Sequence, residues 1–305
     1  MNPHYNSMNI YIILSAGLGV LASVHARDPT QPANKYIDFS KLTRPPSAAI
    51  DRNMSIHPTR PDPRQPDEPT STFPPASTKT ADPGPWVTKT IGHDEIKPFP
   101  QPDPVTISEK AGVKFKPQIQ IRTGCVPYPV VNEFGETSGG LQTSGSPRGG
   151  CRGSVHGSQV YGRSAWINGV WAIMYSWYFP KDSPSSRMGH RHDWEFAVVF
   201  IDNPGIPEPK IIGCSVSSHD GRKKYNPCPS WVIDGNSLKV RYKHAWPMNH
   251  DLDVTGDAGT FQDLIMWDQM TDDARRALNS VSFGKANTPF NDGKFLPTLE
   301  SAWAF

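Results

Sequence analysis

Apolar residues are scarce in this chain, at 36% of 305, too few for a protein that packs a core along its whole length. Long apolar runs are missing too. The nearest approach, IYIILSAGLGVLASV from Ile10 to Val24, falls short of the roughly 20 residues a membrane-spanning helix needs. It ends in the small-x-small pattern Val24-His25-Ala26, so residues 1–26 read as a cleaved secretory signal rather than an anchor. That segment has no Lys or Arg, which leaves the amino terminus as its only n-region charge. A formal charge of +2 with no basic stripe gives nucleic-acid binding no support. No CxxC pair, GxSxG or HExxH occurs. Structural zinc, a serine nucleophile elbow and a zinc-peptidase helix therefore lack their signatures.

Proline, by contrast, is abundant at 32 residues, and 13 of these fall between Arg27 and Pro85 among Ser and Thr. Such a stretch buries too little apolar surface to offset its ordering entropy. Residues 27–86 are expected to be a disordered or polyproline-II spacer, with partner docking as the alternative. Four cysteines, Cys125, Cys151, Cys214 and Cys228, suit two disulfides in a secreted protein. Proximity in sequence favours Cys125–Cys151 and Cys214–Cys228 among the three possible connectivities.

From residue 87 to 305 the composition becomes that of a globular domain. Short apolar runs at 113–121, 158–167, 169–179, 194–201, 209–217, 230–233 and 238–243 are separated by Gly, Pro, Asn and Asp, the spacing of an all-β sandwich or barrel. Two helices are expected outside that core, Thr260 to Met270 and Thr271 to Val281, each opening on a capping Thr. The run GVWAIMYSWYF predicts a central strand covered on both faces, a ligand-stacking aromatic platform being the alternative. WEFAVVFI predicts its neighbour, with Pro180 to Asp193 as the connecting loop.

That connection carries a concentration of charge, GHRHDWE from Gly189 to Glu195. Alternation along a strand puts Asp193 and Glu195 on one face and Trp194 on the other. Two adjacent carboxylates need something positive between them. Asp182, His190, Asp193 and Glu195 form an oxygen-dominated set with one imidazole, which selects a hard divalent cation, Mg²⁺ or Ca²⁺, over zinc or copper. Arg191 and His192 would then support the second layer. The competing readings are a metal-free ion-paired strand end, with Arg191 and His192 on the two carboxylates, and a metal-dependent hydrolase using the carboxylate pair.

AIMYSWYFPKD followed by GHRHDWE resembles the necrosis- and ethylene-inducing-like proteins of plant-associated microbes. The similarity extends to residues 92–121, 124–151, 158–171 and 262–278, and covers roughly Ile91 to Phe305. The resemblance implies a mainly β fold, a sandwich with peripheral helices like actinoporins and fungal lectins. It also implies a secreted cytolysin, not an enzyme, monomeric in solution. Its partners would be plant plasma-membrane sphingolipids (glycosylinositol phosphorylceramides) and plant pattern-recognition receptors. By the same resemblance Asp182 and Asp193 would bind the cation directly, and His190 and Glu195 would hold its waters. Trp246, backed by Asn249 and His250, is the candidate lipid-facing loop, an ordinary packed tryptophan being the alternative. Asn249 stands where strongly toxic members are expected to carry an acid. The pair Cys214 and Cys228 fits the subset of the family with an extra disulfide. Some members keep these motifs without killing cells, so a non-cytotoxic binding module or immune elicitor stays open.

Overall fold

The computed structural model describes residues 86–219, 221–245 and 249–305. The signal segment, the proline-rich segment apart from Trp86, and Trp246 lie outside the described residues. The strands are β1 (Thr90–Ile91), β2 (Gln118–Ile121), β3 (Thr137–Ser138), β4 (Gln159–Ile167), β5 (Val170–Asp182), β6 (His190–Ile201), β7 (Ile211–Ser218), β8 (Gly221–Tyr225), β9 (Ile233–Asp234), β10 (Ser237–His244), β11 (His250–Val254) and β12 (Asp263–Met266). The helices are α1 (Ile107–Lys114), α2 (Asp272–Ser280) and α3 (Phe295–Ala302).

Six strands form the larger sheet in the order β12-β4-β5-β6-β7-β8, and β11-β10-β2, with β9 on β10, form the smaller one. The sheets face each other across a core in which Phe179 of β5 stacks on Tyr242 of β10, centroids 3.9 Å apart and 8° from parallel. This is the β-sandwich with peripheral helices that the strand spacing predicts. β5 lies in the middle of the larger sheet, and Ala172 to Asp182 are buried without interruption. Continuous apolar sequence is what a strand covered on both faces requires.

Several local expectations need correction. Thr260 to Met270 is not a helix: Asp263–Met266 is β12, parallel to β4, followed by a 3₁₀ turn at Trp267–Gln269. Leu264, Ile265 and Met266 are all buried, and an apolar run this short has no periodicity that separates helix from strand. The run at 113–121 is strand only from Gln118, because its first residues close α1. That helix starts at Thr106, whose hydroxyl accepts from the Glu109 amide at 3.2 Å while Glu109 accepts from the Thr106 amide at 2.9 Å, a capping box. Residues 230–232 are a 3₁₀ turn, and only Ile233 begins a short strand. The second expected helix forms as α2, with Thr271 accepting from the Ala274 amide.

The loop expected from Pro180 to Asp193 shrinks to residues 183–189. The β5–β6 ladder continues through Lys181 opposite Arg191 and Asp182 opposite His190. Backbone pairing needs no apolar side chains, and His250 of the smaller sheet covers Asp182, while Arg191 stays exposed. Gly189 closes the loop at φ 90°, and a Cβ there would lie 2.1 Å from the Asp182 carbonyl oxygen. Only glycine allows that approach. Both disulfides form as the sequence favours, Cys125–Cys151 and Cys214–Cys228.

Candidate functional site

The extended ladder fixes the site. Asp182 ends β5, His190 opens β6, and Asp193 and Glu195 follow on the β6 face that looks toward the smaller sheet. Ligand atoms of Asp182, His190 and Asp193 all lie within 4.8 Å of one another. Glu195, Asn249 and His250 line the same cleft, a cavity of about 230 Å³. Asp182, Asp193 and Glu195 are at most 7% exposed.

Each group is held by a long-range contact. His250, on β11, donates its backbone N–H to Asp182 Oδ2 at 3.1 Å, and its Nδ1 sits 2.7 Å from Oδ1. The Tyr242 hydroxyl donates to Asp193 Oδ2 at 2.9 Å, and Ser217 on β7 donates to Glu195. Tyr242 is clamped between Phe179 and His250, the latter ring stacked at 4.8 Å. His190 Nδ1 faces the His192 carbonyl oxygen at 2.7 Å. That contact places the proton on Nδ1 and leaves Nε2 toward the cleft, where it lies 3.9 Å from Asp182 and 3.2 Å from the Asn249 amide nitrogen. His192 adopts φ 59° within β6, which is uncommon for a residue with a side chain.

Arg191 and His192 do not form the ion-paired strand end. Arg191 donates to the Gly139 carbonyl, and His192 Nδ1 contacts the Tyr178 hydroxyl at 2.6 Å. Trp194 points to the opposite face, against Tyr161, Tyr178, Phe283 and Phe290. Among the described residues neither Asp193 nor Glu195 has a Lys or Arg within 4.0 Å. Burial first, then the charge of Asp182, pushes the Asp193 carboxyl well above its ordinary range, and burial and Asp193 do the same to Glu195. His192 is driven the other way, to about 4, by burial first and then by the charge of Arg191 beside it. Tyr242, Ser217 and the part His250 plays went unseen in the sequence. Their partners lie 49, 22 and 68 residues away, and no local spacing signals such pairs.

Three buried carboxylates and one imidazole, with hydroxyl and amide donors on the carboxylates and, among the described residues, no lysine or arginine within 4.0 Å of Asp193 or Glu195, suit a hard divalent cation. Fold and site together define a mainly β protein whose acidic cleft, with side chains that could hold a metal ion, lies where its two sheets meet. The chain belongs to the necrosis-inducing protein family: the family model described as "Necrosis inducing protein (NPP1)" matches residues 109–302. It is 74% identical over 282 residues to NLP effector protein 6 of Phytophthora capsici, covering 90% of this chain and 83% of the relative. The crystal structure of HaNLP3, described as non-toxic, is 64% identical with a TM-score of 0.69, covering 70% of this chain and 99% of that one. NLPPya in complex with mannosamine is 47% identical with a TM-score of 0.67 and the same coverage.

Proposed function

We propose that this member of the effector family is secreted and binds glycosylinositol phosphorylceramide headgroups on plant plasma membranes, with a divalent cation as part of the binding site. Membrane damage and necrosis then follow from binding, without covalent chemistry. The observation that carries this reading is the Asp182–His190–Asp193 cluster beside Glu195: its carboxylates are buried, and among the described residues no lysine or arginine lies within 4.0 Å of Asp193 or Glu195, Arg222 lining the cleft farther off. Asp182, His190, Asp193 and Glu195 would hold Mg²⁺ or Ca²⁺, which supplies a positive centre for sugar hydroxyl oxygens. The chain's own residues orient that set. His250 fixes Asp182, Tyr242 fixes Asp193, Ser217 fixes Glu195, and the His192 carbonyl sets the His190 tautomer. The mannosamine complex of NLPPya supports a glycan-bearing ligand, and two disulfides suit an oxidising, extracellular setting. Dye release from vesicles of eudicot plasma membrane tests the proposal. Release with Mg²⁺ or Ca²⁺ that stops in EDTA supports it; no release from folded protein counts against it.

A second reading, a non-cytotoxic binding module or immune elicitor sensed by plant receptors, is favoured by the non-toxic description of HaNLP3 and by Asn249 at the cleft. Infiltration of purified protein into leaves separates the two: necrosis supports the first, defence responses without cell death the second. A hydrolase has only the carboxylate pair in its favour, and product release from purified sphingolipid is its test.

A further inference from the structure

Behind His250, on the side away from the carboxylates, lies a second cavity of about 310 Å³ whose walls include Arg122, Gly124, Ser146, Arg148 and His244. Its charge is opposite to that of the acidic cleft. Among the described residues neither Arg122 nor Arg148 has an ion-pair or side-chain hydrogen-bond partner, and both are exposed. Lys181 strengthens the same wall from beneath. Its ammonium is buried with the side chain, donates to the Ser146 carbonyl at 3.0 Å, and has no carboxylate within 4.0 Å. Three cations with no carboxylate within 4.0 Å among the described residues leave a net positive field over a concave surface, which is what concentrates an anion.

The segments that carry the two arginines are fixed to one another. Arg122 and Arg148 each stand three residues before a half-cystine of the Cys125–Cys151 bridge, whose Cα atoms are 5.0 Å apart. The Val126 amide donates to the Cys151 carbonyl at 3.1 Å, and the Arg122 amide to the Tyr242 carbonyl at 3.0 Å, tying that segment to β10. Gly124 forms the floor. It has φ 76°, and a Cβ there would lie 2.6 Å from His250 Nε2. One imidazole thus separates the two cavities, with Nδ1 on Asp182 and Nε2 against the floor of the arginine pocket.

We propose that this pocket is an anion subsite that takes a phosphate ester, with Arg122 and Arg148 as its ligands. It rests on the headgroup-binding reading, which it deepens: a headgroup with both hydroxyls and a phosphate is gripped on either side of His250. The cation cleft takes hydroxyl oxygens and the arginine pocket takes the phosphate. Guanidinium groups suit that role because they present paired N–H donors to phosphate oxygens.

Inorganic phosphate is the first probe, titrated into the full protein and followed by amide shifts at Gly124, Ser146, Arg148 and Gly149. The double variant Arg122→Gln/Arg148→Gln should bind phosphate at least about tenfold more weakly, with its Mg²⁺ affinity held within about twofold. Phosphate affinity that survives the double substitution overturns the site. A parallel loss of Mg²⁺ affinity overturns it as well, because the arginines would then act through the cation cleft. Vesicles of phosphatidylcholine with and without phosphatidylinositol, in Mg²⁺, give the second arm. Phosphatidylinositol should raise binding by the parent protein and not by the variant. Indifference to phosphatidylinositol, while inorganic phosphate still binds, identifies a soluble phosphate and overturns the headgroup assignment. Failure of the cation reading itself shows separately, as absent Mg²⁺ binding by the parent.

Discussion

Asp193→Asn separates what the acidic cleft costs from what it does. In the cation-free protein Asp193 is a buried carboxylate with Asp182 beside it, and the Tyr242 hydroxyl and the Trp194 backbone amide only partly offset that burial. At neutral pH holding that charge destabilises the fold, as its raised pKa states. Asparagine keeps the shape and the acceptor for Tyr242 and removes the charge. In EDTA the variant should therefore melt at or above the temperature of the parent. The cation response runs the other way. Losing one of the proposed direct charged ligands should weaken Mg²⁺ or Ca²⁺ at least about a hundredfold, roughly 2.8 kcal/mol. With free cation at about 100 times the parent's Kd, binding stabilises the parent by about 2.7 kcal/mol, a gain of roughly 5–10 °C for a domain of this size. The variant should gain almost nothing. Thermal unfolding followed by near-UV circular dichroism, with and without cation, reads both numbers, and leakage should fall at least as far as for Asp182→Asn. A variant less stable than the parent in EDTA would mean that Asp193 is a structural anchor. Unchanged cation affinity in both variants would place the cation elsewhere.

Other consequences follow from the same contacts. Gly124→Ala forces a side chain into left-handed backbone and pushes on His250, so roughly 3–5 kcal/mol of stability should be lost. Urea unfolding checks this, and a loss below about 1 kcal/mol would show that the turn and ring move aside freely. Asp193 and Glu195 have folded pKa values above their unfolded ones, so the stability they contribute is present below about pH 4 and lost as pH rises from there. The Tm gain from added cation should accordingly grow between pH 4.5 and 7.5 in differential scanning calorimetry, because cation binding displaces protons held by these groups. A gain that is flat or shrinks with rising pH would contradict it. Replacing Cys125 and Cys151 together by alanine opens a loop of 26 residues' separation and should cost about 3.5 kcal/mol by chain entropy. A cost under about 1 kcal/mol would mean that the loop is held by its other contacts.

How much of this the sequence discloses depends on the range of the interaction. The central strands were legible because β5 is apolar residue after residue, and the shared face of Asp193 and Glu195 follows from alternation alone. The two disulfides joined neighbours in sequence. Helix α1 had a written signal, Thr106 followed three residues later by Glu109, but the apolar alternation after Val113 drew attention to a strand. α3 opens without a side-chain cap at Lys294 and had no such signal. β12 was mistaken for a helix because its pairing with β4 is more than a hundred residues distant, and distant pairing outweighs local pattern. In the site, the ligand candidates lie close together in sequence, whereas the residues that orient the carboxylates sit on β7, β10 and β11. The roles of Tyr242 and His250 exist only once the two sheets are packed together, and that of Ser217 only once β7 pairs with β6.

The central claim is that the cleft at Asp182, His190, Asp193 and Glu195 binds a sphingolipid headgroup through a divalent cation. Flotation of the protein with vesicles containing purified glycosylinositol phosphorylceramide, run in Mg²⁺, in EDTA, and with Asp193→Asn in Mg²⁺, tests it most directly. The account predicts that the protein floats with the vesicles in Mg²⁺ and that binding falls at least about tenfold in the other two conditions, with the fold intact by circular dichroism. Equal flotation in EDTA, or by the folded variant, would contradict it.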